Sequence, residues 1–290
     1  MTLTIAVIGA GKVGSALARA LQISGCDIAA VFSRRRSCAE RLAQEVGATV
    51  TNCAAEAAAL ADVVLLATPD AVIADVAEEL RSAGCLREGQ SVLHMAGALG
   101  GEPLASLAGG PASLGCLHPL QTFAGGEAKE AFQNVFFAID GDPEACACAG
   151  RLVEMLDGRA FQLPETERSR YHAAACMVSN YLVVLVQWAV RRYGEFGLAE
   201  ADALPALLPL IRGTVLNLQR VGTEKALTGP ISRGDAATVA AHLAVLPDGL
   251  EREIYQVLGR GALAPLVEKQ RLTTDVCKEI AGLLENQRRI

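Results

Sequence analysis

The chain has 290 residues, a formal net charge of −6, 51% hydrophobic residues and 20% charged ones. That apolar content supports a large core and excludes a disordered chain, and the length suits two domains. Its basic clusters are short (Arg34-Arg35-Arg36, Arg191-Arg192 and Arg288-Arg289), so neither a nucleic acid nor an acidic membrane surface is expected as a partner.

Residues 1–163 alternate short β-rich runs with helical stretches. The runs are LTIAVI (3–8), DIAAVF (27–32), DVVLLA (62–67), SVLHM (91–95), ASLGCL (112–117), VFFAI (135–139) and AFQL (160–163). Helical stretches include 12–24 and 70–83. This rhythm predicts an α/β domain with a doubly wound, mainly parallel Rossmann sheet.

The first run ends in Gly9, Ala10, Gly11, Lys12, Val13 and Gly14, and a helical pattern follows at once. A lone GxGxxG carries little weight, but between a strand and a helix it has a physical meaning. The first glycine permits a tight turn, the second lets backbone approach a pyrophosphate, and the third lets helix and strand pack closely. The free N–H groups and positive dipole end of the helix then face the phosphates. Val13 after Lys12 rules out a nucleoside-triphosphate loop, which requires Ser or Thr there.

The second run ends in VFSRRR, with no acid from Val31 to Ala39 to hold a ribose hydroxyl pair. Ser33, Arg34 and Arg35 suit a 2′-phosphate instead, so NADP(H) is the expected cofactor. Ligands of doubly wound sheets sit at the carboxyl ends of the strands, which puts Thr68, Pro69, His94 and Gly97 along the cofactor's path. Asp70 reads as the N-cap of the helix that follows.

From residue 164 the pattern becomes wholly helical, and residues 164–290 are expected to form an α-helical substrate and dimerisation domain. One long helix is expected from Pro164 to Gly197, with others at 201–222, 235–245, 248–259 and 272–288. Within it, AAACMVSNYLVVLVQWAV (173–190) is apolar enough to suggest a membrane span. Ser179, Asn180 and Gln187 interrupt it and no second candidate exists, so it is expected to be the central helix of a soluble helical domain. The N-terminus has no basic region of the signal-peptide kind. Nine cysteines, an odd number without a CxxC pair, read as reduced thiols of a cytoplasmic protein, and no metal site is expected.

The chain has four histidines, His94, His118, His172 and His242, all near strand ends or helix starts. His172, Cys176 and Asn180 follow one another at spacings of four, with Ser179 beside Asn180, and make one polar stripe on an apolar helix. The stripe is either internal hydrogen bonding between helices or one wall of a substrate pocket. Further on, LTGPISRGD places Asp235 as an N-cap, with Gly229, Pro230 and Gly234 shaping a turn. Thr228 and Arg233 have no such structural reason. A lone Arg in a shaped loop is either a surface residue or a ligand for a carboxylate or phosphate.

Taken together, GAGKVGSALARAL, ATPD, HMAGAL, LHPLQTF, YHAAACMVSNYLVVL and LTGPISRGD resemble a two-domain Rossmann-like family of unknown function. That family is grouped with pyrroline-5-carboxylate reductases and deazaflavin-dependent NADP oxidoreductases. The resemblance implies an N-terminal NADP domain and a helical C-terminal domain like that of 6-phosphogluconate dehydrogenase. It also implies a homodimer formed through the helical half. More distantly, the architecture is similar to β-hydroxyacid dehydrogenases and ketopantoate reductase, which carry a Lys four residues before an Asn on the first interdomain helix. Asn180 fits the Asn place, but Cys176 stands where the Lys would be, which leaves His172 as the nearest titratable group on that face.

The expected function is therefore an NADP(H)-dependent reduction of a small, anionic C=O or C=N substrate. His172 or His118 would supply the proton, because imidazole titrates near neutral pH. Asn180, Ser179 and Thr228 would hydrogen-bond the substrate, and Arg233 would hold its anionic group. The missing Lys leaves one alternative, a non-catalytic NADP-binding regulatory or scaffold protein.

Overall fold

Eight strands form one sheet in the order β3-β2-β1-β4-β5-β6-β7-β8. In chain order the first part runs β1 (Thr4–Ile8), α1 (Lys12–Ile23), β2 (Asp27–Phe32), α2 (Arg36–Val46), β3 (Thr49–Val50), α3 (Ala54–Ala59), β4 (Val63–Leu66) and α4 (Asp70–Ala83). It continues through β5 (Ser91–His94), β6 (Ser113–Pro119), β7 (Phe136–Gly141), α5 (Pro143–Met155) and β8 (Arg159–Gln162). All neighbouring strands are parallel except β6 and β7. The computed structural model describes residues 2–127 and 129–285.

The strand sequences explain this arrangement. β4 and β5 are buried along their whole length, as expected of parallel strands covered on both faces. On one face Ile5, Val7, Val31, Leu65, Leu93 and Leu117 pack with Leu17 and Leu21 of α1, Leu42 of α2 and Leu152 of α5. On the other, Ala6, Ile8, Val64, Leu66 and Val92 pack with Ala57 of α3 and Ile73, Ala77 and Leu80 of α4. The chain moves outward from β1 to β3 and returns to β4 beside β1. The sheet thus has a topological switch point between β1 and β4, where α/β sheets bind ligands.

After β8 the chain is helical: α6 (Arg168–Val178), α7 (Asn180–Glu195), α8 (Glu200–Ala226), α9 (Pro230–Arg233), α10 (Ala236–Val245), α11 (Leu250–Glu268) and α12 (Thr274–Leu284). The chain divides into two compact units, the first ending at Tyr181 and the second beginning at Leu182. The last strand ends at Gln162, where the sequence pattern changes, but α6 still belongs to the first unit. It lies over β6 and β8, where Tyr171 touches His118 and Phe161. The second unit has its own core of Ile231, Val239, Leu243, Leu263, Leu266, Cys277, Ile280 and Leu284.

Several elements differ from the sequence pattern. The single helix expected over 164–197 is interrupted only at Ser179, between α6 and α7, where the backbone stays right-handed (φ −109°, ψ −73°) and Ser179 N–H still donates to the Ala175 carbonyl at 3.1 Å. The stretch Glu165–Glu195 is long and apolar enough to cross a membrane, with a mean hydropathy of 1.7, yet none of its most apolar window is buried. It is therefore not the buried central helix that the sequence suggests. α11 runs on past 259 to Glu268, and Gly259, rather than ending the helix, packs inside it: a Cβ there would come 2.7 Å from Leu284. α8 reaches Ala226, but Gly222 inside it has φ 75°, so the backbone breaks where the pattern ends the helix. β3 is only two residues long and shows no periodicity to read. The last residues of the helix expected at 272–288, with the Arg288-Arg289 cluster, lie outside the described residues.

Candidate active site

Two clusters of polar residues stand out in the first unit. The first is the glycine turn after β1. Gly9 has φ +111°, and a Cβ on it would lie 2.5 Å from the Ala67 carbonyl oxygen, so it presses against the end of β4. A Cβ on Gly14 would lie 2.1 Å from the Gly9 carbonyl oxygen. Gly11, the N-cap of α1, has nothing within 4 Å of its Cβ position. The first and third glycines are thus demanded by packing, while the second faces open space.

That space is a cavity of about 380 Å³ lined by Ala10, Gly11, Lys12, Arg35 and Arg41, with Gly125 and Gly126 also in its wall. Arg19 and Cys38 line it as well. Arg19 is engaged by Glu45 at 2.7 Å. Lys12, Arg35 and Arg41 make no ion pair among the described residues. Three uncompensated cations beside a helix N-terminus suit phosphate groups. Of the basic run, only Arg35 reaches this cavity. Arg36 is held by Glu40 at 2.9 Å and Asn52 at 3.1 Å. Ser33 is half-buried and Arg34 exposed, and neither lines the cavity. Arg41 lies a turn and a half into α2, beyond the strand-end pattern, so motif reading had no signal for it. Val13 is half-buried on the turn. Of the β4 exit residues, Thr68 has a buried hydroxyl without a hydrogen-bond partner and Pro69 is the N-cap of α4. Asp70 is therefore the first helical residue rather than the cap.

The second cluster forms at the carboxyl ends of β5 and β6. His118 Nδ1 and the Tyr171 hydroxyl are hydrogen-bonded at 2.8 Å. The His118 and His172 rings lie edge to face with centroids 6.2 Å apart. Gly97 sits against both: a Cβ there would come 2.6 Å from His118 Nε2 and 2.8 Å from His172 Cδ2. The parity of β6 and β7 places these groups. His118 and Cys116 share one face of β6, and their partners Ala138 and Asp140 share that face of β7. α6 covers this face and brings Tyr171 and His172 down onto it.

Burial, and after it the charges of His172, Arg168 and His94, push the His118 imidazole down to about 4. Burial pushes the Tyr171 phenol up to about 12. At neutral pH the pair is uncharged, with one proton between His118 Nδ1 and Tyr171 Oη. His118 is therefore not the ready-protonated donor that an ordinary imidazole would be. His94 is buried, its Nδ1 accepts from the Ala96 N–H at 3.2 Å, and its Nε2 bonds the Gly100 carbonyl at 2.8 Å. It has no free ring nitrogen for a ligand, and it shapes the turn that carries Gly97.

The expected stripe on α6 exists. His172 Nδ1 and Cys176 Sγ are 3.8 Å apart, and Asn180 Nδ2 donates to Cys176 Sγ at 3.8 Å. Ser179 spends its hydroxyl on the Ala175 carbonyl at 2.8 Å, which is helix back-bonding rather than a free ligand group. In the second unit, Arg233 Nη1 donates to the Thr228 carbonyl and so closes its own turn. Asp235 caps α10 by accepting from Thr238 N at 3.0 Å. Arg233 thus has a structural role in its own turn, whereas the Thr228 side chain has none that the structure shows.

Tyr171 went unread in the sequence. It adjoins His172, but its partner His118 is 53 residues away, and only the strand register brings the two together.

A mainly parallel Rossmann sheet with a glycine turn beside a cationic cavity, followed by helices, defines a chain of the dinucleotide-binding architecture. Comparison with known proteins agrees. Residues 1–119 match the Rossmann-like domain and residues 135–262 match a domain of unknown function, DUF2520. No curated protein matches the sequence. Among solved structures, a Bacteroides fragilis protein assigned as an NADP oxidoreductase is 27% identical, with a TM-score of 0.75 over 90% of this chain and 98% of that one. A 1-pyrroline-5-carboxylate reductase from Streptococcus pyogenes is 18% identical, with a TM-score of 0.61 over 98% and 97%. An imine reductase from a Pseudomonas species is 18% identical, with a TM-score of 0.62 over 97% and 92%. The domain matches bear out the resemblance to Rossmann-like chains with a domain of unknown function, and the pyrroline-5-carboxylate and imine reductases, at 18% identity, share the fold.

Proposed function

We propose that the protein is an NADP(H)-dependent reductase of a small C=O or C=N compound. The observation that carries this reading is the pairing of two clusters on one sheet: a glycine turn with three uncompensated cations, and a neutral His118–Tyr171 pair at the ends of β5 and β6. The names of the similar structures, an NADP oxidoreductase, a pyrroline-5-carboxylate reductase and an imine reductase, point the same way.

The residues fit the cofactor. Gly11 leaves room for a pyrophosphate at the α1 N-terminus, and Lys12, Arg35 and Arg41 supply charge for its phosphates, including the 2′-phosphate that distinguishes NADP(H). When bound, the reduced nicotinamide supplies hydride. The chain's own contribution is position and a proton. With Tyr171 donating to His118 Nδ1, the imidazole carries its proton on Nε2, the atom against Gly97. The proton that completes the reduction leaves Nε2 while Tyr171 hands its own to Nδ1, and the tyrosine is reprotonated from solvent. This is general acid catalysis by a neutral pair. His172 and Asn180 remain the candidate groups for orienting the substrate.

The exposed apolar residues Leu182, Val183, Leu185, Leu204, Leu208 and Leu216 support a homodimer formed through the helical half.

NADPH oxidation against a panel of keto acids and cyclic imines tests the function. We expect turnover with at least one class, reduced strongly in Tyr171→Phe and His118→Ala. Tight NADPH binding without turnover on any member would favour the non-catalytic reading.

A further inference from the structure

We propose that Arg168 is the positioning residue of the His118–Tyr171–His172 cluster: its buried guanidinium, set against Asp140 and Cys116, pins the first turn of α6 to the sheet. This deepens the reductase reading and rests on it for the catalytic consequence, while the positioning itself can be tested without turnover.

Arg168 is the first residue of α6 and is 1% exposed, the largest fully buried side chain among the described residues. Arginine is almost never buried to this degree unless paired. Here the pairing is incomplete. Asp140 Oδ2 lies 3.7 Å from Nε, the guanidinium is near enough to Cys116 to oppose the upward push of burial on that thiol, and none of its three nitrogens makes a hydrogen bond of good geometry. Such a buried charge costs stability, and the cost falls on the turn that carries the site.

The geometry shows what the charge does there. Asp140 and Cys116 face each other across the β6–β7 ladder, two residues along each strand from Ala138 and His118 on the same face. Arg168 stands one helical turn before Tyr171 and His172. α6 therefore meets the sheet at two points on one face, Arg168 over Asp140 and Cys116, then Tyr171 over His118 and Phe161. Three and four residues along α6 rise about 4.5–6 Å, close to the rise of about 6.6 Å for two residues along β6. Glu165, just before α6, packs on the turn after β5: a Cβ at Gly100 would come 2.2 Å from its Cγ. That turn carries Gly97, so the start of α6 and the wall beside both histidines are locked together.

The charge also acts electrostatically. The groups that influence His118 are His172 and Arg168 from α6 and His94 from β5, with Tyr171 as its hydrogen-bond partner. Arg168 adds to the burial that keeps the imidazole neutral, and a neutral imidazole is what accepts from the tyrosine.

The test uses Arg168→Met and Arg168→Lys in the full chain, with ring-nitrogen NMR of His118 and NADPH titration. In Arg168→Met we expect the His118 midpoint to rise from about 4 while staying below 6.5, because burial remains its largest cause. We also expect loss of the Tyr171 signature at Nδ1 and an unchanged NADPH affinity. Arg168→Lys, which keeps the charge, should restore the midpoint and part of the hydrogen bond. Turnover should fall by roughly 10²-fold in Arg168→Met, the scale of a misplacement of about 1 Å. If Arg168→Met does not fold, Asp140→Asn carries the test through the same NMR readout, with a smaller loss of the Nδ1 signature expected. A folded Arg168→Met, or Asp140→Asn in its place, with the wild-type His118 titration and tautomer overturns the proposal. If the wild type turns over no substrate, the reductase reading fails, while the NMR result still decides the role of Arg168.

Discussion

Alanine at Gly11 and at Gly14 separates cofactor binding from folding within one turn. At Gly14 the added Cβ would lie 2.1 Å from the Gly9 carbonyl oxygen and 2.9 Å from the Ala67 Cβ. Neither neighbour can rotate away, because one is backbone and the other a short side chain at the end of β4. Relief requires α1 to move from the sheet by about 1 Å, an overpacking cost of about 1–3 kcal/mol or more. At roughly 2–4 °C per kcal/mol for a domain of 150–250 residues, Gly14→Ala should melt several degrees lower. Gly11 has an ordinary φ of −81° and no neighbour within 4 Å. Its replacement weakens an N-cap by about 0.5–1 kcal/mol and gains a similar amount by stiffening the unfolded chain, so the melting temperature should barely move. The same methyl occupies the place a pyrophosphate needs, and NADPH affinity should fall by at least about tenfold. Thermal melts and calorimetric NADPH titrations of both variants read the two effects. Wild-type affinity in Gly11→Ala, or an unchanged melting temperature in Gly14→Ala, would refute the account of this turn.

Alanine at Arg35 or Arg41 should weaken NADPH by tenfold or more, at about 1.5–3 kcal/mol per charge-assisted contact, and leave NADH nearly unaffected, while Arg34→Ala and Arg36→Ala change little. Equal losses for both cofactors would take the 2′-phosphate away from Arg35 and Arg41. His118 binds its proton at about 4 in the folded chain and near 6.5 unfolded, so the unfolded state takes up the proton first as pH falls. The contribution of His118 to stability should therefore be constant above about 6.5 and decline as pH falls from 6.5 to 4 by at most about 3.4 kcal/mol, and His118→Gln should flatten that decline in denaturant titrations. The helical half should give a dimer mass in sedimentation, and Leu185→Glu or Leu216→Glu should shift it to monomer. A monomeric wild type at micromolar concentration contradicts that pairing.

Much of this fold was legible because the parallel strands are apolar on both faces and are punctuated by glycine turns. DIAAVF and the helix at 70–83 have the ends that the pattern gives them. The glycine turn was legible because Gly9 and Gly14 are demanded by packing and Gly11 keeps the space before α1 open. The second cluster was legible only in part. His118 and His172 stand out as rare residues, but Tyr171 and Arg168 gain their meaning from a register between β6, β7 and α6 that no local pattern encodes. Arg233 shows the reverse: an Arg without a visible partner in sequence has one in its own turn, the Thr228 carbonyl, which local pattern does not encode. The apolar run at 173–190 reads as a central helix because composition alone does not tell a buried face from an exposed apolar one.

The most direct test of the central claim is a side-by-side titration of the purified wild-type protein with NADPH and NADH, followed by calorimetry or Trp188 fluorescence. With Lys12, Arg35 and Arg41 free for phosphate, NADPH should bind saturably at one site per chain, at least about tenfold tighter than NADH. Equal affinities, or no binding of either cofactor, would contradict that claim.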